Sequence, residues 1–274
     1  MSSRLREIAR ENALIVAAGG YRTRSGRQVS LAADLAEAKA GTRIYGPNQV
    51  IPDGESVRGS RPTAFEVTGE SSTVAARRLA GDCGRGAVAV LNFASARNPG
   101  GGYVRGAKAQ EEALCRASAL YETLLEAPEY YGVHRAGKST FYTDRVIHSP
   151  GVPVFRDDRG ELLETPLRVG FLTSPAPNAG TIRRQEPERA PEIPAALARR
   201  AGRVLEVAAL HGYRQLVLGA WGCGVFRNDP AEVAQAFRRG LTGRFAGTFD
   251  RVVFAVLDRD PAPREAFARA FART

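Results

Sequence analysis

The chain is poor in residues that hold metals or staple small folds: its 274 residues include three cysteines and three histidines. Cys83, Cys115 and Cys223 are odd in number and far apart, with no C-x-x-C pair, which argues against a disulfide framework or a zinc ribbon and fits a reducing compartment. His134, His148 and His211 show neither HxxxH nor HxxE spacing, so they read as hydrogen-bonded structural residues. No metal is expected, and no cofactor. No window approaches the roughly 18 consecutive apolar residues of a membrane span. Residues 1–12 form a charged helical pattern without the apolar core of a secretion signal. A cytoplasmic protein with no membrane partner is expected. Internal repeats and a recognisable linker are also missing, which favours a single domain.

What is abundant is positive charge. Lys and Arg outnumber Asp and Glu by 39 to 29, giving +10 and a pI near 10.1. Such a balance favours a polyanionic partner, although an arginine-rich proteome would produce the same figure. Apolar residues at 43% and charged residues at 25% exclude bulk disorder.

Hydrophobic periodicity predicts helices over 3–18, closed by Gly19 and Gly20, and over 31–40, with Ser30 as N-cap and Gly41 at the C-terminus. Residues 45–61, holding Pro47, Pro52, Gly54 and Gly59, read as turns. A strand at 63–68, a helix at 73–80 ended by Gly81 and an apolar strand at 87–93 follow. One helix is predicted over 110–125, where Leu114, Ala117, Tyr121 and Leu125 form a stripe. Further strands are expected at 145–149, 168–173, 215–220 and 251–257, with helices at 194–211, 230–241 and 263–272. The proline-rich stretch 175–194 reads as a long exposed loop. Alternating strands and helices imply a largely parallel α/β sheet in layers.

Two glycine clusters stand between a strand and a helix. The first runs Asn92-Phe-Ala-Ser-Ala-Arg-Asn-Pro-Gly-Gly-Gly102 and leads, after seven residues, into Gln110-Glu111-Glu112. Successive glycines let backbone N–H groups approach a sugar or phosphate closely. The spacing matches neither a Rossmann GxGxxG nor a Walker loop. Glutamates at a helix start are favoured by the helix dipole whatever their function. Being about 100° apart around the helix, the two cannot do the same job: one can hold substrate while the other faces the reacting bond. A glycosidic bond needs such a carboxylic acid to protonate its leaving oxygen. The second cluster, Gly219-Ala-Trp-Gly-Cys-Gly-Val-Phe-Arg-Asn228, offers Gly222 and Gly224 to a diphosphate, backed by the next helix N-terminus. Phe226 reads either as a ribose platform or as a core plug. Two such units in one sheet converge at the carboxyl ends of their strands.

Triple glycine followed by Gln-Glu-Glu, with Gly222-Cys-Gly-Val-Phe226 downstream, resembles the bacterial-type poly(ADP-ribose) glycohydrolases, a branch of the macrodomain fold. The resemblance implies a three-layer α/β/α macrodomain with a mixed, largely parallel central sheet and extra N-terminal helices. One catalytic domain would span 1–274, with 1–62 an N-terminal helical extension packed on a core at 63–274. It implies hydrolysis of ribose–ribose O-glycosidic bonds in poly(ADP-ribose), releasing ADP-ribose, and a role in the DNA damage response. Glu112 matches the general acid and base, and Glu111 the residue that hydrogen-bonds the distal ribose. Gly100, Gly101, Gly102, Gln110, Gly222, Gly224, Val225 and Phe226 match substrate contacts, and Asn98 matches a ribose ligand. Leu257 stands where vertebrate members place an aromatic beneath adenine, with Phe254 and Phe267 as alternatives. Trp221 and Tyr103 are read as lids or packing. Cys223 lacks a paired histidine and is not expected to be a nucleophile.

The implied partners are poly(ADP-ribose) and ADP-ribosylated proteins, for a monomer. Three other readings stay open. A mono-ADP-ribosyl hydrolase or deacetylase of this fold commonly lacks both glutamates. A non-catalytic ADP-ribose reader has no use for Glu112. Direct DNA binding, not expected here, would need a basic face unrelated to the glycine loops.

Overall fold

The computed structural model describes residues 2–50, 62–82 and 88–272. Cys83, Gly86, Ala87 and most of the turn-rich reading, including Pro52, Gly54 and Gly59, lie outside the described residues.

Strands β3 (Arg43–Tyr45), β4 (Ala64–Thr68), β5 (Val88–Phe93), β6 (Val146–Arg156), β7 (Leu162–Ser174), β8 (Gln215–Leu218) and β9 (Arg251–Ala255) form one seven-stranded sheet, in the order β3-β6-β7-β5-β8-β9-β4. From β7 to β4 neighbouring strands are parallel, while β6 runs antiparallel to both β7 and β3. A separate antiparallel pair, β1 (Gly20–Arg22) and β2 (Gln28–Ser30), follows the first helix.

The central strands are apolar because both their faces are covered. Along β5, Ala89 and Leu91 enter one core and Val88 and Val90 the other, the period-2 alternation of a strand. β8 and β9 repeat the division. Helices α8 (Ile193–Leu210), α9 (Pro230–Thr242) and α10 (Ala262–Phe271) supply the first core. Helices α1 (Ser3–Ala17), α2 (Ala32–Gly41), α3 (Ser72–Asp82), α4 (Gln110–Ala117), α5 (Leu120–Leu124) and α6 (Pro128–Ala136) build the second. The result is the three-layer α/β/α arrangement expected. Residues before 63 contribute β3 to the central sheet as well as helices.

Several local expectations are corrected. The helix expected over 110–125 breaks after Ala117. Ser118 takes an extended conformation, bridges to Val154 of β6, and its hydroxyl accepts the Leu120 N–H that opens α5. A tertiary hydrogen bond here overrides helix propensity. The stretch 175–194 is not an exposed loop: α7 (Ala179–Gln185) and a 3₁₀ turn (Pro187–Glu192) occupy it, with Ala176, Ala179 and Ile182 buried. Asn178 caps α7 through the Thr181 N–H. β6 and β7 extend far beyond 145–149 and 168–173 as a long hairpin, and Ser30 belongs to β2 rather than capping α2.

Candidate active site

Parallel pairing of β5 with β8 sends both glycine loops, 94–102 and 219–228, off the same edge of the sheet. Because β5 and β8 are neighbours, the two loops leave that edge side by side, as two walls between which a ligand could lie.

The first wall is organised around α4, a helix of only eight residues. Gln110 fixes its start by completing the backbone pairing of β5. Its Oε1 accepts the Phe93 N–H at 2.9 Å, and its Nε2 donates to the Leu91 carbonyl at 2.8 Å and to Ser72 Oγ at 3.1 Å. The amide is thereby committed to protein groups, so Gln110 positions the helix rather than facing a ligand. Asn92, whose alternation in β5 turns it toward α4, donates from Nδ2 to Glu111 Oε1 (3.2 Å) and Thr173 Oγ1 (3.1 Å). Glu111 Oε2 accepts the Ser95 N–H at 2.7 Å, and Glu112 Oε1 accepts the Gly102 N–H at 2.8 Å.

The adjacent carboxylates therefore differ. Both are buried, but Glu111 has both oxygens held by the protein, whereas Glu112 Oε2 is buried and has no protein partner. Burial raises the Glu111 carboxyl to about 8, and the neighbouring Glu112 adds to the rise against the opposing hydrogen bonds from Ser95 and Asn92. Glu111 thus retains a proton at neutral pH.

Gly101 shows why the loop is glycine. With φ at +58°, a Cβ at this position would lie 2.6 Å from Glu112 Oε1 and 3.0 Å from Glu111 Oε2. The loop and the two carboxylates occupy one another's space, and only hydrogen fits. Gly100 and Gly102 flank this point, and Tyr103 after them is buried packing rather than a lid.

The far end of α4 is gripped by α1. The buried Asn12 directs Nδ2 at the carbonyls of Arg116 (2.9 Å) and Cys115 (3.4 Å) and at Tyr103 Oη (3.2 Å), while its Oδ1 accepts Arg156 Nε at 2.7 Å. Arg156 is paired with Glu11 at 2.8 Å. An amide from another helix satisfies carbonyls that a helix C-terminus otherwise leaves orphaned.

The second wall is tied down differently. Gly222, at φ +72°, has its carbonyl bonded by the Asn228 backbone N–H and Nδ2, each at 3.1 Å. Asn228 Nδ2 also reaches the Pro177 carbonyl at 2.8 Å. Gly224 is exposed, and a Cβ there would meet nothing within 4 Å. Val225 projects into solvent at 83% exposure. Phe226 is half-buried, packed against the core with its ring 5.9 Å from that of Tyr142. The expected help from the next helix N-terminus is corrected: Asp229 caps α9, accepting the Ala231 and Glu232 N–H groups.

Other expected residues scatter. Asn98 is exposed on the first loop, and its N–H donates to Ser95 Oγ at 3.2 Å. Leu257 is 69% exposed just past β9. Phe254 and Phe267 are fully buried against each other, ring centroids 5.2 Å apart, so neither can lie beneath a base. Trp221 is core packing, its Nε1 donating to the Ser174 carbonyl at 3.0 Å. Burial pushes the Cys223 thiol up to about 12, which leaves it an inert protonated group. His134 bonds Tyr130 and Thr143, and burial, reinforced by Arg200, Arg145 and Arg97, lowers it to about 4. His148 and His211 stack at 3.6 Å and bond Tyr213 and Tyr45 respectively. Among the described residues no group of three or more His, Cys, Asp or Glu could hold a metal, and no helix is long and apolar enough to cross a membrane.

Sequence reasoning missed Asn92 and Asn12. The signal for Asn92 was a lone amide closing an apolar strand, on the face that alternation assigns to α4. Asn12 gave only the weaker signal of a polar residue on an amphipathic helix.

A cleft with one fully held carboxyl, a second with a free buried oxygen, and a wall of open backbone can protonate a leaving oxygen while gripping a sugar diphosphate. The family model of the microbial-type PARG catalytic domain matches residues 9–157. Among solved structures the chain is similar to poly(ADP-ribose) glycohydrolase from Thermomonospora curvata, at 50% identity and a TM-score of 0.90, covering 98% of this chain and 100% of that one. The same enzyme bound to the inhibitor ADP-HPD matches at 49% identity over the same shares of the two chains, also with a TM-score of 0.90. The Deinococcus radiodurans enzyme in complex with ADP-ribose matches at 50% identity and a TM-score of 0.80, covering 87% of this chain and 97% of that one. A search of curated proteins returns no match.

Proposed function

The chain belongs to the microbial-type poly(ADP-ribose) glycohydrolases, and we propose that Glu112 is the residue with which it breaks the bond between riboses. The observation that carries this assignment is the free, buried Oε2 of Glu112, next to a second oxygen anchored by the Gly102 N–H. As general acid, Glu112 delivers a proton from Oε2 to the bridging oxygen of the departing ribose as the C–O bond breaks toward that oxygen. The diphosphate of the bound ADP-ribose unit offsets the charge of the oxocarbenium ion. Water then attacks the anomeric carbon and returns its proton to Glu112, restoring the acid. Glu111, oriented by Asn92 and Ser95, keeps lone pairs for the hydroxyls of the distal ribose.

Gly100, Gly101 and Gly102 on one wall and Gly222, Gly224, Val225 and Phe226 on the other hold the diphosphate and the distal ribose; Asn98 and Leu257 border the ribose and the adenine. The substrate is poly(ADP-ribose), including chains on ADP-ribosylated proteins, and the product ADP-ribose, in keeping with the ADP-ribose and inhibitor complexes of the two relatives. The enzyme works as a single-domain monomer in the cytoplasm, where its free Cys115 and Cys223 stay reduced. A role in the DNA damage response rests on the family resemblance alone. The test is Glu112→Gln. General acid catalysis is worth about 10²–10⁴-fold, so polymer hydrolysis on a gel should all but stop, while calorimetry still reports ADP-ribose binding. Full hydrolysis by the folded variant would place the acid elsewhere.

A further inference from the structure

The catalytic reading fixes where the rest of the polymer must go. The bond broken lies at Glu112, so the departing unit carries its own diphosphate a few bonds from the leaving oxygen, beside the loop 94–102 whose Ser95 and Gly102 hold the two carboxylates. What borders that loop is positive. Arg97 stands exposed on the loop itself, two residues from the Ser95 N–H that holds Glu111. Arg135, at the end of α6, lays its Nη1 on the Arg97 carbonyl at 2.9 Å. Arg145 opens β6 at the same edge, its carbonyl accepting Ser174 Oγ at 3.4 Å.

These three cations share one setting. Arg97 and Arg145 both act on His134, whose ring meets Tyr142 at 5.9 Å, and Tyr142 in turn meets Phe226. None of the three forms an ion pair among the described residues, and the nearest acid in sequence, Asp144, is engaged by Arg199 and Arg200. Arg78, Arg168 and Arg189, by contrast, are each matched by two acids: Arg78 by Glu66 and Glu70, Arg168 by Asp34 and Glu37, Arg189 by Glu186 and Glu192. Unmatched like charges grouped at a cleft mouth repel one another until an anion arrives, and they raise its local concentration. Resting on the glycohydrolase reading above, we propose that Arg97, Arg135 and Arg145 form a second anion subsite for the diphosphate of the departing ADP-ribose unit. The enzyme then reads two consecutive units: it grips the one it releases and steadies the one that leaves.

The experiment compares two substrates. One is di(ADP-ribose); the other is ADP-ribose joined through the same glycosidic bond to plain adenosine, which lacks the second diphosphate. Wild type should show a KM for the dimer lower by about tenfold. The Arg97→Glu/Arg135→Glu variant should lose that preference, with kcat on both substrates and calorimetric ADP-ribose affinity unchanged within twofold. Arg24→Glu/Arg27→Glu, an equal charge change at the turn between β1 and β2, should keep the preference. Equal KM values in wild type, or equal loss in the control, overturn the subsite and leave the glycohydrolase reading intact. Absence of hydrolysis of either substrate by wild type overturns that reading itself, and failure of the dimer to bind more tightly than ADP-ribose by calorimetry then removes the subsite as well.

Discussion

The two glycine loops look alike as strand, glycines and helix, yet they are built on opposite principles. The first is closed in on itself: Gly101 is wedged between two carboxylates, and Ala109, in the cap position before α4, offers no side chain to cap it. The second is open: a side chain at Gly224 would meet nothing, Val225 faces water, and Asp229 caps α9. The difference separates two tasks. Chemistry demands carboxyl oxygens held to fractions of an ångström, so the first loop and its helix are interlocked. Holding a flexible diphosphate demands room and backbone, so the second loop keeps its helix end satisfied and its glycine bare.

The contrast is broken most severely by adding one methyl group to each loop. Gly101→Ala should cost about 2–4 kcal/mol from overpacking and left-handed strain and remove hydrolysis, while Gly224→Ala should leave the thermal midpoint unchanged and weaken only ADP-ribose binding. Paired thermal melts and calorimetry check this; equal melting losses in both variants would end the distinction. Next in size, Asn12→Ala should cost about 1–3 kcal/mol by orphaning the carbonyls at the end of α4. If the clamp positions Glu112, it should also lower kcat more than it raises KM, and Asn12→Asp should not restore kcat, because a carboxylate cannot donate to carbonyls.

A third expectation concerns pH. Because Glu111 keeps its proton up to about 8 in the folded state, whereas the unfolded chain releases it near pH 4.3, the native state binds more protons in between. Stability contributed by this residue therefore falls as pH rises across that window. Urea midpoints measured at the two ends of the window should converge in Glu111→Gln relative to wild type; an unaltered pH slope would show that Glu111 is ionised throughout. The smallest effect belongs to Asp229→Ala, which should cost about 1 kcal/mol as a lost helix cap with no change in kcat, confirming that the second loop takes no part in proton transfer.

Much of the layered sheet was legible because its strands are buried on both faces. Runs such as Val88–Phe93 and Gln215–Leu218 read as apolar segments bounded by glycine and polar residues. The pair Glu111 and Glu112 was legible as a pattern, though not which oxygen the fold would leave free. What escaped was set by contacts distant in sequence. Ser118 interrupts α4 because β6 offers it a partner 36 residues away. The extended hairpin of β6 and β7 was obscured by Pro150 and Pro153, and Asn12 acquires its importance only when α1 meets carbonyls more than a hundred residues along the chain.

Gly101 and Gly224 also predict different histories under drift. If a lineage lost its need for the reaction and its glutamates shortened, position 101 would gain room for a side chain but keep a backbone angle hostile to one. Position 224 would face no such restraint, since nothing in the protein reserves its space. Descendants that have abandoned the substrate should therefore fill Gly224 early while still carrying Gly101, so the exposed glycine, rather than the wedged one, is the marker of a working cleft.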